Sequence, residues 1–322
     1  MPSISRRAAL AAAAFLAAPR VLRAQRAWPD GPIRLVAPFP PGGSADLLCR
    51  LLQNPLQQSL GVPIVVENRP GASGALGTAS VARAAPDGQS FVLVFDTHVV
   101  NPALNPTLGF EAKDLQAVML VATAPMLVAT ANAKPFQTMG DVIARAKSRP
   151  ESVSYGTIGI GSLAHLTMER LQDVTGCRMI HVPYRGGGPM SAAASSGEVD
   201  LAVASVVGLG GQVGTTLRAL AQTGEARSPL RPQIPTLIES GVAGVSAKAF
   251  WGLLAPAGVP APLIQRFHDA LAQALALPAV RQPLEAQGVD VIGSTPEAFD
   301  SFLTQQAAIW TGVVREKNIS VN

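Results

Sequence analysis

The sequence predicts an α/β protein of two lobes, each a central, mostly parallel sheet flanked by helices, and three observations carry this. The chain has 322 residues of 48% hydrophobic composition, enough for two cores where one domain takes roughly 100–200 residues. Short apolar strands alternate with glycine-marked loops and amphipathic helices, the order that builds a parallel sheet covered on both faces. That order runs twice, and then an apolar strand and two helices return to complete the first lobe. The divisions read as 1–27 for a leader, 28–124 for the first part of lobe 1, 125–248 for lobe 2 with its crossover, and 249–322 for the return to lobe 1.

Arg6 and Arg7 precede an eleven-residue apolar run, residues 8–18. This is the charged head and short apolar middle of a signal peptide, too short for the ~20 residues that span a bilayer. The Ser5-Arg6-Arg7 start also permits twin-arginine export, and cleavage after Ala24 or after Ala27 stays open. Residues 1–27 hold five arginines and no acid, so the formal charge of +4 becomes about −1 in the mature chain. A nearly neutral body without a basic block offers no electrostatic footprint for nucleic acid or an anionic membrane. Cys49 and Cys177 read as two separate buried thiols rather than a bridge. His98, His165, His181 and His268 have no metal-ligand spacing, so neither metal nor cofactor is expected.

In chain order, residues 33–39 form a strand that runs into Pro40-Pro41-Gly42-Gly43 and a helix over 45–60. A second strand at 63–67, a turn-rich 68–74, a helix over 75–85 and a strand at 91–95 follow. Residues 115–130 carry two apolar runs and a crossing to the second lobe. There the pattern repeats: helix 141–149, strand 153–156, helix 164–175 closed by Gly176, strand 179–182, helix 189–196 and strand 199–204. Residues 216–221 begin the return, 250–255 form an apolar strand, and 262–277 and 296–310 are amphipathic helices. Two crossings imply a hinge and a cleft.

The candidate ligand residues sit where strands hand over to helices. A helix start leaves backbone N–H groups without partners, and these can hold an oxyanion without a cationic side chain. In the first loop Ser44 either caps the helix or donates its hydroxyl to a carboxylate, and Asp46 either caps the helix or binds a donor. Thr157-Ile158-Gly159-Ile160-Gly161-Ser162 offers a second such loop, and His165, one turn on, either donates to the cleft or packs on the loop. Asp96, Thr97 and His98 follow a strand at the sheet end that exposes ligand loops. Tyr184 either closes on the ligand or stays outside, and Ser205 follows the next strand. Two facing anion nests suit a dicarboxylate, or one carboxylate with a polar tail.

Pro38-Phe39-Pro40-Pro41-Gly42-Gly43-Ser44-Ala45-Asp46, Val65-Val66-Glu67-Asn68-Arg69-Pro70-Gly71-Ala72, His181-Val182-Pro183-Tyr184-Arg185-Gly186-Gly187-Gly188 and Trp251-Gly252-Leu253-Leu254-Ala255-Pro256-Ala257-Gly258 occur in this order. With Ala84-Ala85-Pro86-Asp87-Gly88 and the 155–162 loop, they resemble the Bug proteins, the TctC-like extracytoplasmic receptors of tripartite tricarboxylate transporters. The resemblance implies a periplasmic, Venus-flytrap binding protein of type II-like fold. It implies that Phe39, Gly43, Ser44 and Asp46 on one lobe and Thr157, Gly161, Ser162 and His165 on the other hold a ligand carboxylate. The partners implied are a small organic acid or related amide and the membrane subunits of the transporter, with the receptor itself a monomer.

Three stretches depart from the family pattern: Phe95-Asp96-Thr97-His98, where Asp96 disfavours a fully anionic ligand if it points inward; Ser191-Ala192-Ala193-Ala194-Ser195-Ser196; and the segment 208–216. The expected function is capture of a carboxylate-bearing solute without chemistry. A signalling receptor detached from transport and a hydrolase using Ser162 and His165 are the alternatives, although no GxSxG elbow is present.

Overall fold

A computed structural model describes residues 28–105 and 108–320; the signal-peptide reading of residues 1–27 lies outside the described residues. A parallel strand covered on both faces must be apolar at nearly every position. The first strand, β1 (Ile33–Ala37), is buried at all but Arg34. It leads into α1 (Ser44–Leu60), which stops at Gly61 in the left-handed region, φ 73°, with the Gly61 N–H on Gln57 O at 3.0 Å. Next come β2 (Ile64–Asn68), α2 (Ala75–Ala82) and β3 (Ser90–Phe95), and β1 pairs in parallel with both β2 and β3.

After the short α3 (Asn101–Leu104) comes β4 (Leu115–Ala131), a single strand of 17 residues. Then follow α4 (Met139–Ser148), opened by a capping box between Thr138 and Asp141, and β5 (Ser154–Thr157). Next are α5 (Leu163–Thr175), β6 (Ile180–Pro183), α6 (Gly187–Ser196), β7 (Leu201–Ser205) and β8 (Leu217–Gln222). The chain returns through β9 (Lys248–Pro256), α7 (Ala261–Ala276), α8 (Pro278–Glu285), the two-residue β10 (Asp290–Val291) and α9 (Pro296–Glu316).

The strand order is β2-β1-β3-β9-β4-β7-β5-β6, with β8 and β10 also paired to β4. Within each half the strands β1, β2 and β3, and β5, β6 and β7, are parallel, as the alternating pattern predicts, whereas β4 and β9 run antiparallel to all their neighbours. The crossing at 115–130 is therefore one continuous strand shared by both halves of the sheet. Its residues up to Pro125 pair with β9, and from Met126 onward it pairs with β7. Proline has no N–H for a ladder, and it sits where one ladder ends. The Met126 N–H next to it goes to Thr223 Oγ1 at 3.0 Å.

The C-terminal helices pack back on the first half: Phe267 of α7 stacks on Phe91 of β3 with ring centroids 3.7 Å apart, and Phe299 of α9 lies over Gly252 of β9. Helix α9 also reaches α5 through the Lys317–Asp173 ion pair. Cys49 and Cys177 are free and buried.

Candidate functional site

The first loop is shaped by its own acid. Gly42, at φ 80°, turns the chain out of β1. Asp46 accepts hydrogen bonds from the Gly42 N–H at 2.9 Å, Arg50 Nε at 2.9 Å and Asn68 Nδ2 at 3.0 Å. Burial pushes this carboxyl up, but the hydrogen bonds from Arg50, Gly42 and Asn68 outweigh it and hold its pKa below the usual range. Asp46 is thus engaged in holding the loop and does not line the cavity described below, nor does Gly43, whose N–H turns to Pro40 O at 3.4 Å. Ser44 does line it. Its Oγ accepts from Trp251 Nε1 at 3.2 Å, which leaves the hydroxyl proton to donate.

The second loop spends its polar groups internally. Thr157 Oγ1 lies 3.1 Å from Gly159 O and 2.7 Å from His181 Nε2. Gly161 donates its N–H to His165 Nδ1 at 3.1 Å, and the Ser162 Oγ accepts the His165 N–H at 3.3 Å, capping α5. These residues shape the wall rather than line the cavity. Gly161 is required for another reason: at φ 72° it brings the loop so close to the first half that a Cβ would stand 2.0 Å from Leu104 Cδ1.

This geometry also removes the hydrolase reading. Ser162 is fully buried as a helix cap. The His165 Nδ1 is taken by Gly161, and its Nε2 faces Glu169 at 3.7 Å, so the imidazole is not placed to accept a proton from the serine.

His165 stacks on His181 with centroids 3.8 Å apart, and His98 lies over Phe110. Burial pushes His98 and His165 down to about 4 and His181 to about 3, the last also repelled by His165. Buried neutral imidazoles must charge when the chain unfolds in acid, so they stabilise the fold above ~6.5, and that contribution is lost as pH falls toward 4. In an Asp96→Asn background, where that buried carboxyl cannot offset them, urea unfolding is expected to show lower stability at pH 5 than at pH 7.5; equal midpoints there would mean these rings titrate normally.

The cavity lies between the two halves of the sheet. Phe39 and Phe95, edge to face at 6.1 Å, form one wall, and Met126, Ile158, Ala164 and Ala204 form the rest of its apolar surface. Its polar lining comes from Ser44, Asp96, Ser205 and the backbone of Gly186, Gly187 and Gly208. Gly186 and Gly187 are the N-terminus of α6, so helix starts from both halves, α1 and α6, open on one space. Like Ser44, Ser205 uses its Oγ as an acceptor, here for the Gly208 N–H at 3.1 Å, and keeps a proton to donate. The two halves touch beside the cavity through the Ser73 Oγ to Ile160 O hydrogen bond at 3.1 Å.

Asp96 is the buried charge of this cavity. Its Oδ1 accepts the Leu163 N–H at 3.1 Å, so a carboxylate from the first half caps α5 of the second. Its Oδ2 is buried without a hydrogen-bond partner. Burial, only partly offset by the Leu163 and Thr97 amides, pushes its carboxyl up to about 7.

Of the predicted residues, the structure brings Phe39, Ser44, Asp96 and Ser205 to the cavity. Thr97 and His98 are buried away from its lining. Tyr184 is likewise elsewhere, its ring over Gly156 and its hydroxyl on Glu198 Oε1 at 3.0 Å. Phe95, Met126, Ile158, Ala164 and Ala204 were missed, because nothing local separates an apolar pocket wall from core. Gly186 and Gly187 carried the strand-to-helix signal and lay within the motif already noted.

Residues 48–319 match the sequence profile described as "Tripartite tricarboxylate transporter family receptor", TctC. The Bordetella pertussis protein BugT is 33% identical over 293 residues, covering 90% of each chain. A solved periplasmic transporter superposes with a TM-score of 0.87 at 34% identity, over 92% of this chain and 100% of the other. The R. palustris protein Rpa4515, solved with adipate, superposes at 0.86 and 29% identity, over 91% and 99%. With that profile match and a two-halved α/β fold around a cavity, this chain belongs to the TctC, or Bug, family of periplasmic solute receptors of tripartite tricarboxylate transporters.

Proposed function

We propose that this receptor captures a small carboxylate-bearing solute between its halves and presents the closed form to the membrane subunits of a tripartite tricarboxylate-type transporter. One observation carries the reading. Ser44 and Ser205 each accept one protein N–H, and both keep a hydroxyl proton at a cavity lined by the first residues of α1 and α6. Such a donor-rich, cation-free surface suits a carboxylate. The adipate found with the R. palustris relative supports the ligand class.

The lobes in this reading are residues 28–124 with 249–322, and residues 125–248. The Ser73 Oγ to Ile160 O bond at 3.1 Å and the Asp96–Leu163 bond are then closure contacts. Solute entry requires these to part, because both bonds join the two halves across the mouth of the cavity.

The test is a thermal-shift screen of ligand-stripped mature protein against mono- and dicarboxylates, aromatic acids, amino acids and amides, with calorimetry on hits. Saturable stabilisation by acids is expected, with Ser44→Ala weakening the hit roughly 10- to 150-fold if a buried hydrogen bond to charge is lost. Unchanged affinity in that variant would remove Ser44 from the site.

A further inference from the structure

The cavity carries polar groups of two opposite kinds. Ser44 and Ser205, beside the α6 N-terminus, each keep a hydroxyl proton, and Asp96, which also lines it, has one oxygen, Oδ2, without a hydrogen-bond partner. Asp96 is 3% exposed, and among the described residues no Lys, Arg or His lines the cavity. The other oxygen of the same carboxylate accepts the Leu163 N–H at the N-terminus of α5, where Ser162 already takes the His165 N–H. One of the helix starts that could hold a ligand carboxylate is therefore partly occupied from within, by Asp96.

A second ligand carboxylate would meet Asp96 at hydrogen-bond range in a site shielded from water. Like charges so placed repel, and one must take up a proton. An N–H donor meets the opposite situation, since it would satisfy the one orphaned acceptor and, if cationic, neutralise it. The geometry points to Asp96 as a specificity residue that selects a monocarboxylate carrying an N–H donor, an amide or an ammonium group, at its far end, and rejects the corresponding dicarboxylate. This rests on the carboxylate reading of the Ser44 and Ser205 end.

The experiment is calorimetry at pH 8 on the ligand-stripped mature protein with length-matched sets. These are succinate, succinamate and 4-aminobutanoate; adipate, adipamate and 6-aminohexanoate; and terephthalate, terephthalamate and 4-(aminomethyl)benzoate. In at least one set the amide or ammonium member should bind tenfold or more tighter than the diacid. In Asp96→Asn, which keeps an oxygen for the Leu163 N–H, that preference should collapse and the diacid should gain affinity. Diacid binding equal to or tighter than its partners in the unmutated protein overturns the proposal, as does a preference that persists in Asp96→Asn. Both leave the carboxylate reading standing. Failure of every compound in all three sets overturns the carboxylate reading and this proposal with it. The unmutated protein decides the matter alone if the variant folds poorly.

Discussion

Replacing Asp96 with asparagine is expected to abolish a loss of stability that the ligand-free protein suffers as pH rises from about 4 to about 7. The carboxyl titrates near 3.8 when free and near 7 in the folded chain, because burial disfavours its charge and the Leu163 and Thr97 amides only partly compensate. The native state therefore holds a proton through this window that the unfolded chain has released, and stability falls as pH climbs through it. Above pH 7 the full penalty applies, on the order of 4 kcal/mol for a shift of this size. Asparagine carries no charge at any pH and can still accept the Leu163 N–H.

The buried histidines act in the opposite direction below about 6.5, so the quantity to follow is the difference between variant and parent, in which their contribution cancels. That difference should grow in the variant's favour from pH 4.5 to pH 8, measured by urea unfolding at several pH values. A difference that stays flat would mean that Asp96 remains ordinarily acidic, reached by water when no ligand is bound.

Gly77→Ala should destabilise the protein, although alanine is the better helix former. Gly77 lies in α2 where that helix crosses the end of β1. A Cβ there would stand 2.7 Å from Pro38 Cβ, 2.8 Å from Arg69 O and 2.9 Å from Pro38 Cα. Two of these three are backbone atoms, which cannot swing aside as a side chain would. Helix propensity favours alanine by about 1 kcal/mol, whereas overpacking against fixed neighbours costs about 1–3 kcal/mol. At the upper end of that range the clash wins by about 2 kcal/mol, which lowers the melting temperature by roughly 4–8 °C.

Phe39 follows Pro38 into the cavity wall, so ligand affinity should drop as well. Gly312→Ala in α9 is the matched control, since a Cβ there meets nothing within 4 Å. It should leave stability unchanged or raise it by up to about 1 kcal/mol. Equal effects from the two substitutions would show that α2 can move off the strand at little cost.

The order of strands and helices was legible because each is a local pattern. Continuous apolar runs marked β1 and β3, and helical spacing ended by a left-handed glycine marked α1 and α5. Strand-to-helix loops place helix starts at one end of a sheet, which is why Ser44, Asp96 and Ser205 could be named, whereas Phe39 was named through the family resemblance. β10, with two residues, and α3, with four, are too short to show a period.

Other features depended on contacts between residues far apart in the chain. Asp46 and Asp96 are both acids just past a strand, yet one is consumed by Arg50, Asn68 and Gly42, while the other keeps an unpartnered oxygen. Thr157 and His165 turned to the loop, and Tyr184 to Glu198, because a polar group takes whichever partner the packing presents. The sequence by itself determined the longer elements, their order and the family, since these rest on interactions within a few residues and on motifs read in line. Only the tertiary structure decided which donors and acceptors remain unpaired at the cavity, because hydrogen-bond satisfaction is settled by groups that meet only after the two halves have folded and closed.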